Sequence, residues 1–444
     1  AEGRAKLAYC PPMKFSQFGH KFSQKTGALQ LMDDLAYAAG SGQIQAMLGG
    51  GNPARIPEVE AAYQQAYSDL GAAGFSEVVA SYSGSQGDAA FLQTLADFFN
   101  RQYDWGITPA HIAITNGSQN AFFYLFNLFS GAYEGGQTRQ ILLPLVPEYL
   151  GYADVHVDAP HFVAARPQIE ATQYRGQAGF FKYRIDFAEV ERLLAAGDVG
   201  AICCSRPTNP SGNVLTDAEI ARLSALAASY DIPLIVDYAY GEPFPGIQFT
   251  PVQPSFAPHQ VLCFSLSKTG LPSLRTGIVV AAPEVIAAIS ALNATLSLAP
   301  GRLSAAIARP LLAHDGKGSL RQLSQEVIRP FYQARADFAI DLLRQELAGY
   351  PLRIHQPEGA IFLWLWFEGL PISTNTLYEE LKAAGTLVVP GAYYFPGIDT
   401  SQDRHAHECL RMSYAQDEAT LRIGISSIAR LVKQAYQKGK DHAP

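Results

Sequence analysis

Four places along the chain set a polar side chain with chemical potential directly behind a short run of aliphatic residues. Leu234-Ile235-Val236 ends in Asp237, a carboxylate that such a position buries in part, and a buried charge needs a partner. Tyr240 follows three residues on and reaches the same crevice; a helix cap or a loop salt bridge is the plain alternative for the Asp. Val261–Phe264 leads into Ser265-Leu266-Ser267-Lys268. Desolvation there lowers a lysine's pKa and makes its amine a nucleophile or base, whereas a solvated lysine is the ordinary case. Arg275 comes seven residues later. Ile112–Thr115 runs into Asn116-Gly117-Ser118-Gln119, ahead of the apolar helical pattern Ala121–Phe129. A glycine turn at a helix start leaves backbone N–H groups that suit a phosphate, and equally makes a simple turn with an N-cap. Ala201–Ser205 leads to Arg206-Pro207-Thr208-Asn209-Pro210-Ser211-Gly212. Two prolines and a glycine fix a rigid turn that either holds the Asn209 amide toward a crevice or only connects to the next helix.

Combined, the four strand ends mean more than each does alone. A phosphate cradle, a buried acid, an asparagine, a tyrosine and an activated lysine describe a site for pyridoxal 5′-phosphate (PLP). That cofactor needs an amine for its aldehyde, an acid against its pyridine nitrogen, and donors for its phosphate and phenolic oxygen.

The elements that must position these residues follow from the hydrophobic pattern. The runs Ile112–Thr115, Ile141–Leu145, Ala201–Ser205, Leu234–Asp237, Val261–Ser265 and Gly277–Ala281 are continuous rather than alternating, the mark of strands buried on both faces of a parallel sheet. Between them lie helical patterns such as Asp217–Tyr230, with Ile220, Leu223, Leu226 and Ala227 on one face and Thr216 as its cap. This rhythm predicts a large open α/β domain over residues 46–310, with ligands bound beyond the carboxyl ends of the strands. After 310 the pattern changes to a long charged helix, Gly318–Leu347, then the apolar runs Ala360–Phe367, Thr386–Val389 and Leu410–Tyr414. Residues 311–444 thus read as a smaller α+β domain, with the segment 14–45 packed against it and residues 1–13 as an N-terminal extension outside the fold.

Composition narrows the function classes. The 444 residues are 48% hydrophobic and only 16% charged, which excludes a largely disordered chain. A net charge of −7 without a basic run argues against a nucleic-acid binder. Cys10, Cys203, Cys204, Cys263 and Cys409 are few and odd in number, with no metal-binding spacing, and suit a reducing cytoplasm better than a disulfide framework. No stretch has the length of a membrane helix.

In its order of motifs the chain resembles the fold-type I PLP-dependent aminotransferases over about residues 14–435. Asn209-Pro210-Ser211-Gly212, then Asp237-x-x-Tyr240, then Ser265-x-Ser267-Lys268 with Arg275 downstream carry the resemblance. Leu48-Gly49-Gly50-Gly51-Asn52-Pro53, Phe122–Phe129 and Pro357–Trp366 bring it nearest to the branch acting on aliphatic amino acids. The resemblance implies a large domain with a mostly parallel seven-stranded sheet flanked by helices, plus the smaller α+β domain. It implies a Schiff base between PLP and Lys268, Asp237 against the pyridinium nitrogen, and Asn209 and Tyr240 on the phenolic oxygen. Gly117, Ser118, Gln119, Ser265, Ser267 and Arg275 would hold the phosphate. Tyr149 would stack on the ring, with Tyr152 as its competitor, and Tyr82 would reach the neighbouring subunit's phosphate in a homodimer. Arg411, with Gly50, Gly51 and Asn209, would bind the substrate carboxylate, under a loop, Gly391–His407, that covers it. The implied reaction is ping-pong transfer of an amino group between a valine- or alanine-type amino acid and pyruvate or 2-oxoisovalerate, as in amino-acid biosynthesis. The rivals are an aminotransferase of other specificity, a PLP-dependent lyase, and a PLP-sensing regulator, which needs a DNA-binding domain.

Overall fold

The computed structural model describes residues 13–24 and 26–441 of the chain. Cys10 and most of the expected N-terminal extension lie outside the described residues. The larger sheet runs, in spatial order, through Ile112–Thr115, Gly277–Val280, Gln260–Ser265, Leu234–Asp237, Val199–Ser205 and Thr138–Leu143. Phe162–Ala164, parallel, and the two-residue Gly131–Ala132, antiparallel, share the outer edge of Thr138–Leu143. The three-residue strand Phe162–Ala164 is too short to show in the sequence pattern, and with it the sheet has seven strands besides the two-residue one.

One expected parallel strand runs the other way. Gly277–Val280 is antiparallel to both neighbours. Only residues 266–276 connect it to Gln260–Ser265, and a parallel return needs a crossover of a dozen or more residues, usually a helix. All four of its residues are buried, so its continuous apolar pattern reports burial on two faces and not direction.

Helix boundaries follow local chemistry. Asp217–Ser229 starts on a capping box in which Thr216 Oγ1 accepts from Glu219 N and Glu219 accepts from Thr216 N; Ile220, Leu223 and Ala227 face the core. The expected single helix Gly318–Leu347 is interrupted: Leu320–Leu323 passes through a π-turn, Ser324–Ile328, into Arg329–Glu346. Pro330 explains the break, because it has no N–H for an i−4 bond and its ring crowds the carbonyl one turn back.

A second sheet runs Val389–Pro390, Cys409–Ser413, Phe362–Phe367, Leu352–His355, Gln177–Arg184 and Gln168–Tyr174. Its last two strands form a hairpin closed by Arg175 and Gly176, both at positive φ, as a tight two-residue hairpin turn requires. This hairpin lies within residues 46–310 of the sequence but pairs Phe180 and Phe181 with Ile354 and His355. The domain division at residue 310 is therefore crossed by two ladders, this one and the pairing of Ala46–Met47 with Thr386–Leu387. The run Thr386–Val389 is also split: Thr386–Leu387 pairs in parallel with Ala46–Met47, whereas Val389–Pro390 pairs with Cys409–Ser413. The expected covering loop Gly391–His407 ends in the helix Arg404–Glu408, capped by Asp403.

Helix Gly27–Gly40 buries Leu31, Leu35 and Ala38, and its Asp34 accepts from Lys382 Nζ (2.8 Å) and the Tyr378 hydroxyl on the helix Thr374–Ala383. Its capping Thr26 donates to Asp154 Oδ2 (2.8 Å), so the N-terminal segment bridges the C-terminal region and the loop ahead of Phe162–Ala164. Among the described residues no helix is long and apolar enough to cross a membrane, and Cys203, Cys204, Cys263 and Cys409 are buried and free.

Candidate active site

The carboxyl ends of Ile112–Thr115, Val199–Ser205, Leu234–Asp237 and Gln260–Ser265 open on one crevice, closed opposite by Cys409–Ser413 and the glycines 49–51. At its floor, Gly117 caps the helix Ser118–Phe129 with φ 90° and ψ 156°, a conformation reserved for glycine. The helix begins three residues before the expected Ala121, so the N–H groups of Ser118 and Gln119 belong to its unladdered first turn. Arg275 lies against this turn: a Cβ on Gly117 would stand 2.9 Å from its Cζ, and closer still to Nη2. Its Nη1 donates to Ser267 Oγ (3.2 Å) and to the Pro272 carbonyl (2.9 Å), and Ser265 Oγ accepts from Ser267 N (3.0 Å). The Gln119 side chain is committed elsewhere, donating to the Gly151 carbonyl (2.8 Å), so only its backbone N–H serves the turn. A helix N-terminus, two hydroxyls and a guanidinium make a donor set suited to a phosphate dianion.

Lys268 sits on the short turn Ser267–Thr269 beyond Gln260–Ser265, braced by a Tyr63 hydroxyl to Thr269 Oγ1 hydrogen bond (2.7 Å). Its Nζ donates to the Gly51 carbonyl and stands 5.5 Å from the Tyr240 ring centre. Burial pushes its pKa down to about 8, helped by repulsion from Arg411 and Arg275 and opposed by Asp237. Asp237 Oδ2 accepts from the Tyr152 hydroxyl (2.7 Å) and Oδ1 from Ala239 N (2.9 Å). Burial raises its pKa to about 6 despite these bonds, so the carboxylate gains from a cation set against it.

At the other end Arg411 projects from Cys409–Ser413, opposite Trp364 on one neighbour and Val389 on the other. Its Nη1 donates to Asn209 Oδ1 (2.9 Å) and its Nη2 to the Gly49 carbonyl (2.7 Å), while Cζ lies 3.9 Å from the Phe362 ring centre. The glycine segment is thus held at Gly49 by Arg411 and at Gly51 by Lys268, with Gly50 between. The Asn209 loop is folded on itself, Thr208 N donating to the Asn213 carbonyl and Gly212 N to the Thr208 carbonyl (both 2.8 Å). Buried Arg206 props it from beneath through the Leu215 carbonyl (2.6 Å). Tyr240 is buried with its ring edge-on to Phe362.

Tyr149 and Tyr152 have different surroundings. Tyr152 is fully buried with its hydroxyl on Asp237, whereas Tyr149 is half-buried and packs over Gly151, where a Cβ would lie 2.6 Å from its hydroxyl. Tyr82 stands apart from the crevice, 81% exposed in the loop after helix Pro57–Ala80. Arg302 fastens that loop through the Ser81 carbonyl (3.3 Å) and Asp88 Oδ2 (2.9 Å).

Three groups at the site had no role in the sequence reading. Glu148 is fully enclosed, accepting from Tyr149 N (2.9 Å) and Ser205 N (3.0 Å) and bonded to the Ser205 hydroxyl. Burial, reinforced by Asp237, pushes its pKa up to about 8. Its only sequence signal was its place beside Tyr149. Lys182 and Glu358 form a buried ion pair, with Lys182 Nζ also on Asn213 Oδ1 (2.5 Å) and Glu358 accepting from Val214 N (2.8 Å). The pair ties the hairpin Gln168–Arg184 to the Asn209 loop. Tyr394, from the turn Gly391–Tyr394, lies 5.3 Å from Arg411 Cζ and is fully buried, so this part of the expected covering loop packs into the site wall. No local pattern marks it, because it meets Arg411 only through strand pairing.

The sequence model described as "Aminotransferase class I and II" matches residues 45–428. The valine–pyruvate aminotransferase of Escherichia coli K12 is 45% identical over 426 residues, covering 96% of this chain and 99% of that protein. A putative amino-acid aminotransferase from Psychrobacter arcticum superposes with a TM-score of 0.94 at 55% identity, covering 96% of this chain and all of that one. The valine–pyruvate aminotransferase AvtA of Salmonella typhimurium superposes with a TM-score of 0.83 at 44% identity, covering 93% of this chain and all of that one.

Proposed function

The chain belongs to the class I and II aminotransferases, a PLP-dependent family with the fold-type I architecture, and on that premise we propose that it exchanges an amino group between an aliphatic amino acid, valine or alanine in type, and pyruvate or 2-oxoisovalerate. The names of the relatives at 45% and 44% identity support the substrates. The observation that carries the reading is the pair of cations gripping one glycine segment, Lys268 on Gly51 and Arg411 on Gly49, with the Asp237 carboxylate behind them.

The residues present fit PLP. The cradle of Gly117, Ser118, Gln119, Ser265, Ser267 and Arg275 offers only donors to a phosphate, Asp237 awaits a cation, and Tyr149 offers an aromatic face. When bound, PLP supplies an aldehyde that carries the amino group and a ring that absorbs charge as the substrate Cα loses its proton. Lys268 anchors the cofactor through Nζ. Its pKa of about 8 leaves part of the amine neutral near pH 7, so that it takes the Cα proton and returns it. Asp237 would hold a positive charge on the ring nitrogen, and the buried Tyr152 hydroxyl fixes the carboxylate's orientation. Asn209, held by Arg411, and the buried Tyr240 would hold the phenolic oxygen of the cofactor. Arg411 presents a planar fork to the α-carboxylate, and Gly50 and Gly51 leave room beside it. The two substrates use one set of groups in turn, which gives ping-pong kinetics.

Exposed Tyr82 on its fastened loop supports a homodimer in which this residue completes the partner's phosphate site; full activity in a monomer would refute that. Four buried, unpaired thiols suit work in the reducing cytoplasm. The deciding experiment is a panel of amino donors with pyruvate, read as alanine formed. Valine and its close homologues should react. Failure of these while aromatic or acidic donors react would overturn the substrate assignment, and failure of borohydride to fix PLP to the Lys268 peptide would overturn the chemistry.

A further inference from the structure

Tyr394 closes the turn Gly391–Tyr394, and its hydroxyl is buried with no hydrogen-bond partner. The residue is fixed from several sides. Its ring meets Trp364 edge-on at 5.7 Å and 87°, its carbonyl accepts from Glu148 N (2.8 Å), and Arg411 Cζ lies 5.3 Å from its ring centre. The ionisable neighbours of its hydroxyl are Arg411, Tyr149 and Tyr240, all of the crevice.

Arg411 repeats the pattern. Its two terminal nitrogens are engaged by Asn209 and Gly49, but its Nε is buried without a partner. Two buried donors without acceptors, on side chains in contact, each carry an unrepaid desolvation cost until an acceptor arrives. An acceptor able to serve a guanidinium and a phenol together, next to a net positive charge, is a carboxylate.

We propose that Tyr394 donates a hydrogen bond from Oη to the substrate carboxylate that Arg411 binds, making it a binding residue that selects amino acids over amines. This rests on the reading of the crevice as an aminotransferase site and adds a second donor, of a residue type that the motif pattern did not mark. The phenol supplies direction where the guanidinium supplies charge: a carboxylate held by both is fixed in its plane, and the Cα proton is kept toward Lys268.

The test compares the holoenzyme with its Tyr394→Phe variant, using isovalerate as an unreactive carboxylate and isovaleramide as its uncharged counterpart. Calorimetry should show isovalerate binding weakened about 10-fold or more in the variant, equivalent to about 1.4 kcal/mol, with isovaleramide unaffected. The KM for the amino donor should rise more than kcat falls. The melting temperature should hold or rise, since phenylalanine keeps the ring contacts and removes an unpartnered hydroxyl. Isovalerate affinity within two-fold of the parent would overturn the proposal, as would a lower melting temperature, which would show that the hydroxyl already has a partner. If aliphatic donors prove not to be substrates, the function reading fails by itself. The same comparison with the carboxylate analogue of the donor that does react then decides the role of Tyr394.

Discussion

Gly117→Ala tests the phosphate cradle on two separable readouts. At φ 90° and ψ 156° the alanine backbone is strained by about 1–3 kcal/mol, a cost that falls on folding stability. The new methyl group also occupies the space of Arg275, since its carbon would lie 2.9 Å from Cζ. The guanidinium is the mobile partner and must swing away, breaking its 3.2 Å contact with Ser267 Oγ. A charge-assisted contact to a phosphate contributes about 1.5–3 kcal/mol, so PLP affinity should fall about 10- to 100-fold. Titration of the coenzyme-free protein with PLP, followed by the absorbance of the bound coenzyme, measures this; thermal unfolding without PLP measures the strain. In an Arg275→Ala background the same glycine substitution should cost affinity far less, because the displaced group is already gone. Unchanged PLP affinity in the single variant, or an equal loss in both backgrounds, would refute the reasoning that Gly117 is there to admit Arg275.

Other consequences follow from the buried charges. Glu148, with its pKa raised from 4.5 to about 8, keeps its proton in the folded coenzyme-free protein, so its contribution is complete below 4.5 and is lost as pH rises through 8. Asp237, raised to about 6, loses its share at lower pH; His156 and His405, lowered to about 4, act in the opposite sense below 6.5, and Lys268 acts above 8. Between pH 6.5 and 8, unfolding of the coenzyme-free protein should therefore show a stability decline of about 2 kcal/mol that Glu148→Gln removes; a decline that survives in the variant would be the contrary result. Lys182→Met strands Glu358 in the interior and should cost about 3–5 kcal/mol by denaturant unfolding, with Lys182→Met/Glu358→Gln recovering most of it. Arg411→Lys keeps the charge but loses the fork and the reach to both Asn209 and Gly49, so steady-state kinetics should show KM for the amino acid raised about 10-fold or more.

The local patterns were legible wherever an element's chemistry is contained in a few neighbouring residues. The Thr216–Glu219 capping box began its helix where the sequence placed it, and the run Leu234–Asp237 is a strand with those bounds. Direction was not legible for Gly277–Val280, since apolar continuity reports burial and says nothing of which way a strand runs. The hairpin Gln168–Arg184 escaped notice because its first strand is mostly exposed and its turn is Arg-Gly rather than a stronger turn pair.

The inventory is local: a lysine, an acid, an asparagine and a glycine turn, each tethered by the chain to the end of an apolar run. Their order was enough to indicate PLP chemistry. Tertiary structure decided the relations between distant residues, including Tyr152 on Asp237, Tyr394 beside Arg411, Lys182 under the Asn209 loop, and Tyr82 facing outward. Those contacts depend on which strand edges pair and which apolar faces meet across the whole core. That free energy is summed over many remote residues, so no short window of sequence contains it.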